Sequence, residues 1–330
     1  MSSNAAARNI IDSTPEHDES QADDSFASAL FVGLTQSEKS IPCRFLYDAR
    51  GSELFEEITK LDEYYPTRTE AGILRTCAPI IAESVEAGSV LIEFGSGSSL
   101  KTELLLSEVQ DKLAAYVPLD ISEAALVEAE ARLKTRFPNL TIASVVADFS
   151  APIALPPELN DRPLLGFFPG STIGNLEPSE AIALLTSMRG TLGNEGRLII
   201  GTDLIKDLDV LLPAYDDKAG VTAAFNLNIL DHANAVVGTN FKADNFVHRA
   251  IWNANKSRIE MHLVSTCDQT ITGLEQPVKI AQGEHLHTEN SHKYTVPSFH
   301  ALAAKAGWHA NRVWSDDNRY FAVHELQVRS

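Results

Sequence analysis

Residues 89–102 read SVLIEFGSGSSLKT, and this stretch decides the fold. Its first four residues form a largely apolar run that predicts a buried strand ending at the acidic Glu93. A turn follows that is too rich in glycine and serine for a helix, and a helix is predicted from Lys101 onward. Gly95 and Gly97 carry no Cβ, so a ligand can lie against the main chain there. This pattern is typical of α/β sheets that bind nucleotide-like ligands at the carboxyl ends of their strands.

The spacing of the glycines distinguishes between the nucleotide-like ligands that such a loop could bind. The loop has neither the full G-x-G-x-x-G spacing of a dinucleotide site nor the G-K-[ST] of a P-loop. The E-x-G-x-G pattern of residues 93–97 therefore favours S-adenosylmethionine (SAM) over NAD. Two alternatives from other classes stay open at this point: a nicotinamide-dependent dehydrogenase and a SAM-binding module without catalysis.

Two more predicted strands end in acidic residues. The run 114–120 ends in Asp120, where a carboxylate can accept both hydroxyls of a ribose, and Ser122 is predicted to cap the next helix. The run 142–147 is followed by Asp148 and Phe149, which suit the amine and the ring of an adenine. Either acid alone could simply cap a helix, but acids at three strand ends favour a cofactor site. Around SAM we expect Gly95, Lys101, Asp120, Asp148 and Phe149.

The remaining pattern predicts two lobes. Strands at 164–168 and 197–203 alternate with a helix at 179–189, which indicates a parallel sheet. The chain then changes character. We predict a helical stretch from Asp203 to Tyr215, an amphipathic segment from Lys218 to Ala233, and antiparallel strands at 246–252 and 257–265. The chain then returns to the first pattern. We predict a helix at 297–306 that ends at Gly307, and an antiparallel strand pair at 310–316 and 320–326.

We therefore predict an α/β fold with a Rossmann-like, SAM-dependent methyltransferase core and a second, discontinuous α+β substrate-binding lobe. Residues 66–203 plus 295–330 are assigned to the SAM-binding core. Residues 25–65 plus 204–294 are assigned to the substrate-binding lobe. Residues 1–24, which are rich in serine, alanine and acidic residues, are predicted to be a disordered tail.

Composition narrows the class of partner. The net charge of −18 over 330 residues argues against nucleic acid, and lysine and arginine are scattered rather than clustered. Cys43, Cys77 and Cys267 have no C-x-x-C spacing, which favours free thiols in a reducing cytoplasm. No apolar run is long enough to span a membrane, and we expect no secretory signal. We expect a small-molecule substrate and no protein partner.

Seven segments of the chain resemble the histidine-specific Nα-methyltransferase family. These SAM enzymes trimethylate histidine to hercynine in ergothioneine biosynthesis. The resemblance covers roughly residues 25 to 330, and related enzymes methylate indole-bearing amino acids. Tryptophan or a prenylated tryptophan therefore stays as the alternative substrate. The segments are 47–55, 63–68, the Gly95 loop, 167–175, 214–226, 258–261 and 288–291.

The resemblance also implies site residues. It assigns catalytic roles to Tyr64, Asn175 and Tyr215, and it adds Tyr64 to the cofactor site. From the residues alone, an asparagine after glycine is common in turns, but the place of Asn175 at the carboxyl edge of the sheet favours a binding role, whereas tyrosines are more often core residues. The substrate-binding residues that we expect are Tyr47, Phe55, Tyr64, Gly170, Asn175, Tyr215, Phe225, Met261, Glu289 and Ser291.

Glu289 and Ser291 carry the substrate prediction. Residues two apart on a strand face the same side, so the carboxylate and the hydroxyl are expected to meet one edge of a ligand. A neutral imidazole has one N–H and one acceptor nitrogen, which this pair can match. An indole or phenyl ring would leave buried polar groups unpaired. From the sequence alone an exposed strand face is the stronger interpretation, and the resemblance reverses that order.

A histidine cluster offers a different chemistry. His285 and His287 face the same side of a predicted strand, with His292, Glu284 and Glu289 nearby. Two histidines and a carboxylate are a ligand set for non-haem iron. N-methylation requires no metal, and Glu289 is already assigned to the substrate. We therefore expect no metal site.

Overall fold

The structure is a computed structural model that describes residues 11–12, 19–96 and 100–328. Within those residues, the strands are β1 (Ile11–Asp12), β2 (Lys39–Ser40), β3 (Ser89–Phe94), β4 (Leu113–Asp120), β5 (Val145–Val146), β6 (Leu164–Phe168), β7 (Arg197–Asp203), β8 (Phe246–Asn253), β9 (Arg258–Ser265), β10 (Gln269–Ile271), β11 (Val278–Ile280), β12 (His285–His292), β13 (Trp308–Ser315) and β14 (Phe321–Val328). The α-helices of the same residues are α1 (Glu19–Thr35), α2 (Ala49–Ile58), α3 (Tyr65–Glu83), α4 (Leu100–Val109), α5 (Glu123–Arg136), α6 (Pro178–Leu192), α7 (Leu208–Leu211), α8 (Val221–Val237) and α9 (Val296–Lys305).

The large sheet has the strand order β1-β5-β4-β3-β6-β7-β14-β13. Every pair from β1 to β7 is parallel, whereas β14 is antiparallel to both β7 and β13. All six residues of β3 are buried, because apolar side chains cover both faces of the sheet. This topology confirms the predicted Rossmann-like core and its antiparallel edge pair, and it aligns the carboxyl ends of the parallel strands along one edge.

A smaller sheet has the order β2-β12-β9-β8, and β10 pairs with β11 separately. Helices α1, α2 and α8 pack with this sheet through a third hydrophobic cluster, apart from the two clusters of the large sheet. The buried members of that cluster lie between Phe26 and Tyr65 and between Leu211 and Leu286. Two separated stretches of chain therefore build one apolar core beside the large sheet.

Strand β12 contains an irregularity that decides which side chains face this core. The register with β9 shifts between His287 and Glu289, so His287 pairs with His262 and Glu289 pairs with Met261. On a regular strand His287 and Glu289 would face the same side, because side chains alternate. The β-bulge instead separates them: Glu289 joins the buried Met261, and His287 lies on the opposite face.

Two predictions of local structure need correction. The helical stretch predicted from Asp203 to Tyr215 is wrong, since β7 runs to Asp203 and only residues 208–214 are helical. The main chain at 203–205 instead hydrogen bonds to Tyr294, with a Tyr294 N to Asp203 O distance of 2.9 Å. The strand predicted at 142–147 keeps only Val145–Val146, and Ser144 turns its hydroxyl toward Glu130 at 2.7 Å.

Most of the tail predicted at 1–24 lies outside the described residues. Where the backbone is described, Ile11–Asp12 pairs with β5, and α1 already begins at Glu19. Among the helices that the structure describes, none is long and apolar enough to cross a membrane.

Candidate active site

The cofactor edge is built around the turn after β3. Gly95 has a φ of +75°, a conformation that favours glycine, and its N–H and that of Ser96 donate to the carbonyl of Leu119 at 2.9 and 3.0 Å. A Cβ on Gly95 would lie 3.6 Å from the ring of Phe149. The turn and the Phe149 ring are therefore neighbours, as a ligand spanning both would require. Gly97 lies outside the described residues.

The two predicted acids of this edge make short local hydrogen bonds. Asp120 accepts from the N–H of Ser122 at 2.9 Å, and burial raises its pKa. Asp148 is exposed and accepts from the N–H of Ser150 at 2.8 Å. Ser122 caps α5 as predicted, with a 3.2 Å bond from the N–H of Ala125 to its hydroxyl. Each carboxylate thus stabilises its own turn and stands at the carboxyl edge of the sheet.

Glu93 has a structural role at the same edge. It is fully buried at the end of β3 and accepts hydrogen bonds from Tyr116 and, at 2.7 Å, from the hydroxyl of Thr102. Burial raises the pKa of Glu93 to about 7. The carboxylate therefore ties β3, β4 and α4 together beneath the glycine turn.

Glu70, which sequence reasoning missed, connects the two predicted binding regions. Its buried carboxylate pairs with the Nζ of Lys101 at 3.0 Å and accepts from the N–H of Gly170 at 2.9 and 3.1 Å. Gly170 has a φ of +89°, and a Cβ there would meet the Lys101 Nζ at 3.3 Å. The signal for Glu70 was its place on the apolar face of α3, because a buried carboxylate requires partners.

Five aromatic rings pack in one continuous series, the aromatic wall, along the candidate substrate pocket. The ring centroids of Tyr47 lie 5.6 Å from Phe55 and 5.5 Å from Phe225. Tyr64, which directly precedes α3, continues the series at 6.1 Å from Phe55 and 6.4 Å from Tyr215. These distances are typical of interacting aromatic pairs. All five rings were predicted as substrate-binding residues, and the structure brings them together.

The carboxylate of Glu289 stands against this wall. Its Oε1 atom accepts from the hydroxyl of Tyr47 at 3.4 Å and from the Nδ2 of Asn175 at 3.3 Å. Burial raises the pKa of Glu289 to about 7, although Lys293 and Tyr47 act in the opposite direction. Two long contacts leave this buried carboxylate able to accept a stronger hydrogen bond from a ligand.

Ser291 and Tyr215 form a second polar group two residues along β12. Their hydroxyl oxygens are 2.7 Å apart. The Nζ of Lys293 lies 2.7 Å from the Tyr215 oxygen, 2.6 Å from the Ser291 oxygen and 2.7 Å from the Oδ2 of Asp203. Sequence reasoning missed Lys293, although it extends the alternation of Glu289 and Ser291 by one more step of two.

The histidine cluster lies on the other face of the small sheet. His262 and His287 stack at 4.8 Å, and His285 lies 5.1 Å from His262. Among the described residues, Glu260, His262 and His287 are grouped closely enough to hold an ion. Glu260 is already ion-paired with Arg258 at 2.7 Å. Glu289, which lies near these histidines in the sequence and was assigned to the substrate, is on the opposite face of the sheet beside Met261.

The strand order of the large sheet and the family match together define the class: this is a SAM-dependent methyltransferase. Residues 26–328 match the family described as histidine-specific, SAM-dependent methyltransferases, and the chain belongs to that family. The family prediction is therefore confirmed, and S-adenosylmethionine is the cofactor.

Individual relatives extend over nearly the whole chain. The histidine N-alpha-methyltransferase of Mycolicibacterium smegmatis is 42% identical over 317 residues, which cover 93% of this chain and 97% of that protein. The enzyme of the same name from Mycobacterium tuberculosis is 38% identical, with 89% and 92% covered. A more distant relative, the 4-dimethylallyltryptophan N-methyltransferase of Claviceps purpurea, is 25% identical, with 97% and 98% covered.

Proposed function

We propose that this protein transfers three methyl groups from SAM to the α-amino group of L-histidine and so forms hercynine, the first step of ergothioneine biosynthesis. The observation that carries the proposal is the pair Glu289 and Ser291, which lie on the buried side of β12 beside the aromatic wall. A carboxylate and a hydroxyl together match the two nitrogens of an imidazole. Family membership and the mycobacterial relatives support the same substrate.

The residues at the cofactor edge fit SAM. Gly95 leaves the turn after β3 without a side chain next to Phe149, and Asp120 ends β4 with a carboxylate that can accept from the hydroxyls of a ribose. We assign the binding of SAM to Tyr64, Gly95, Lys101, Asp120, Asp148 and Phe149. SAM supplies a methyl group that its sulfonium already activates. The protein must then present a neutral amine in line and exclude water.

We assign the amino-acid end of the substrate to Asn175, Tyr64 and Tyr215. The Nδ2 of Asn175 reaches Glu289, so its amide lies at the rim of the pocket, and the turn at 172–175 packs on β12. Tyr64 and Tyr215 offer hydroxyls beside apolar rings that keep the reacting nitrogen dry. Phe55, Phe225, Met261 and Gly170 complete the walls.

We also propose the division of labour between the lobes. Residues 66–203 plus 295–330 bind SAM, and residues 25–65 plus 204–294 bind the substrate. The separate hydrophobic clusters support this division. A cytoplasmic location is part of the proposal, and the three cysteines, which are free thiols, agree with a reducing compartment.

The test is mass spectrometry of an incubation with SAM and a mixture of the twenty amino acids. We expect histidine alone to gain three methyl groups. Gain of mass by tryptophan instead would favour the alternative substrate, which the distant Claviceps relative represents. If the protein bound SAM but formed no methylated product, it would be a SAM-binding module without catalysis. Binding of NADH in a fluorescence titration would indicate a dehydrogenase.

A further inference from the structure

We propose that Lys293 is a positioning residue that fixes the hydroxyl protons of Tyr215 and Ser291, so that this pair presents a hydrogen-bond donor to the acceptor nitrogen of the substrate's ring. The inference rests on the proposed function, because it assumes an imidazole in the pocket. It extends that function by assigning the residue that makes the Tyr215–Ser291 side of the imidazole site a hydrogen-bond donor.

The surroundings of Lys293 fix its ammonium group. The side chain is fully buried, and its three N–H groups have three oxygen partners within 2.7 Å: Asp203, Tyr215 and Ser291. Asp203 is itself anchored, because it accepts from Tyr65 at 2.7 and 2.9 Å and pairs with Lys206 at 2.6 Å. Burial alone would raise the pKa of Asp203, but the charges of Lys293 and Lys206 hold it below its usual value.

The protons of the hydroxyl pair can be counted. An ammonium only donates, so the oxygens of Tyr215 and Ser291 both accept from Lys293. The oxygens are 2.7 Å apart, so one hydroxyl must donate to the other. Two hydroxyl protons exist and one is used between them. When Tyr215 is the donor of that bond, the O–H of Ser291 is left for the ring nitrogen, and the Tyr215 oxygen keeps one lone pair that can accept from the amino-acid end of the substrate.

This donor complements the carboxylate. Ionised Glu289 can only accept a hydrogen bond, so it binds a ring N–H. The Tyr215–Ser291 hydroxyls donate instead to the ring nitrogen that has a lone pair. The two groups together match a neutral imidazole and disfavour an imidazolium, which has no acceptor nitrogen. Without the ammonium, the hydroxyls of Tyr215 and Ser291 could reverse and present a lone pair instead.

The experiment compares histidine with the two isomers of pyrrolylalanine, which keep one ring N–H and lack the acceptor nitrogen. The measured quantity is the ratio of kcat/KM for histidine to that for the better isomer. We expect the wild-type protein to prefer histidine by roughly tenfold to a hundredfold, because the unmatched donor would be buried. Lys293→Met should reduce that ratio several-fold and leave the Kd of SAM unchanged.

Lys206→Met is the matched control. It removes an equal charge from Asp203 but has no contact with the hydroxyl pair in the structure. We expect it to keep the wild-type ratio. If Lys293→Met does not fold, the variant Asp203→Asn/Lys293→Met, which removes both charges, is measured against Asp203→Asn alone.

Two outcomes would overturn the inference: an unchanged ratio in the folded Lys293 variant, or an equal loss in the Lys206→Met control. Failure of the proposed function has a different signature, since the wild-type protein would then not methylate histidine at all.

Discussion

The two halves of the active site are built in different ways. At the cofactor edge, the acids bond to their own turns: Asp120 to Ser122 and Asp148 to Ser150, each two residues away. In the substrate pocket, the polar contacts join distant parts of the chain. Tyr47 and Glu289, which share a hydrogen bond, are 242 residues apart. The proposed cofactor edge is thus formed by local structure, whereas the proposed substrate pocket depends on contacts between distant parts of the chain.

This difference predicts how substitutions act. A change at the cofactor edge should weaken the binding of SAM and leave the choice of amino acid alone. A change in the pocket should alter that choice and leave SAM affinity alone. The exceptions are Tyr64, which we assign to both halves, and the Lys101–Glu70–Gly170 connection, where one buried carboxylate bonds to residues of both halves.

The largest expected effect is at the cofactor edge. Asp120→Ala should remove a charge-assisted hydrogen bond to the ribose, which is worth on the order of 1.5–3 kcal/mol, or roughly a ten- to hundredfold loss of SAM affinity. Isothermal titration calorimetry measures the Kd of SAM in both proteins. Asp111→Ala, an exposed acid before the amino end of β4, is the control for lost charge. An unchanged Kd in Asp120→Ala would remove Asp120 from the cofactor site.

The next effect is in the pocket. Glu289→Ala should leave an imidazole N–H unpaired in a dry site, at a cost of about 1–3 kcal/mol, and raise the KM for histidine accordingly. SAM affinity should stay constant. Combined with a smaller residue at Met261, the cross-strand neighbour of Glu289, the change should admit tryptophan. Wild-type turnover of histidine by Glu289→Ala would contradict the imidazole-binding role.

The same contrast explains what the sequence could predict. The strand at 89–94, the helix that begins at Leu100, the cap at Ser122 and the antiparallel edge pair follow from local patterns, and the described residues contain all four. The acids proposed for the cofactor were predicted from their places at the ends of predicted strands. Glu289 and Ser291 were proposed for the substrate through the family resemblance, since the alternation alone also fits an exposed strand.

What the sequence did not show depends on contacts between distant residues. Lys293 and Glu70 are charged residues whose partners lie in other elements, at Asp203 and Lys101. The local signals, the place of Glu70 on the apolar face of α3 and the step of two from Ser291 to Lys293, do not identify those partners. The β-bulge before Glu289, which separates it from the histidines of β12, likewise follows from the register with β9. The helix predicted after Asp203 failed because the main chain there pairs with Tyr294.

A third prediction uses the pKa of Glu289, which burial raises to about 7. Because the folded state binds this proton more tightly than the unfolded state, the carboxylate's contribution to stability falls as pH rises from about 4.5 to 7. Glu289→Gln should remove that contribution, so its chemical unfolding should depend less on pH across this range. An identical pH dependence of the free energy of unfolding in both proteins would show that Glu289 titrates normally.

Ionisation of Glu289 should also control substrate binding. Only the carboxylate form accepts from an imidazole N–H without also presenting a proton. Below pH 7 the KM for histidine should therefore rise, by up to about tenfold per pH unit from this one group. The imidazole of histidine titrates in the same range, so the informative quantity is the difference between the wild-type protein and Glu289→Gln. Equal slopes in the two would assign the pH dependence to the substrate alone.

The smallest expected effect concerns the methyl groups themselves. The final product carries a fixed trimethylammonium, and the rings of Tyr47, Phe55 and Tyr64 lie where they could face it. A cation–π contribution of roughly 0.5–2 kcal/mol should make dimethylhistidine a better ligand than histidine. Phe55→Leu keeps an apolar side chain but removes a ring, so it should reduce that preference without changing SAM affinity. Tighter binding of free histidine than of its dimethyl form would show that the aromatic wall serves to exclude water and does not recognise the growing cation.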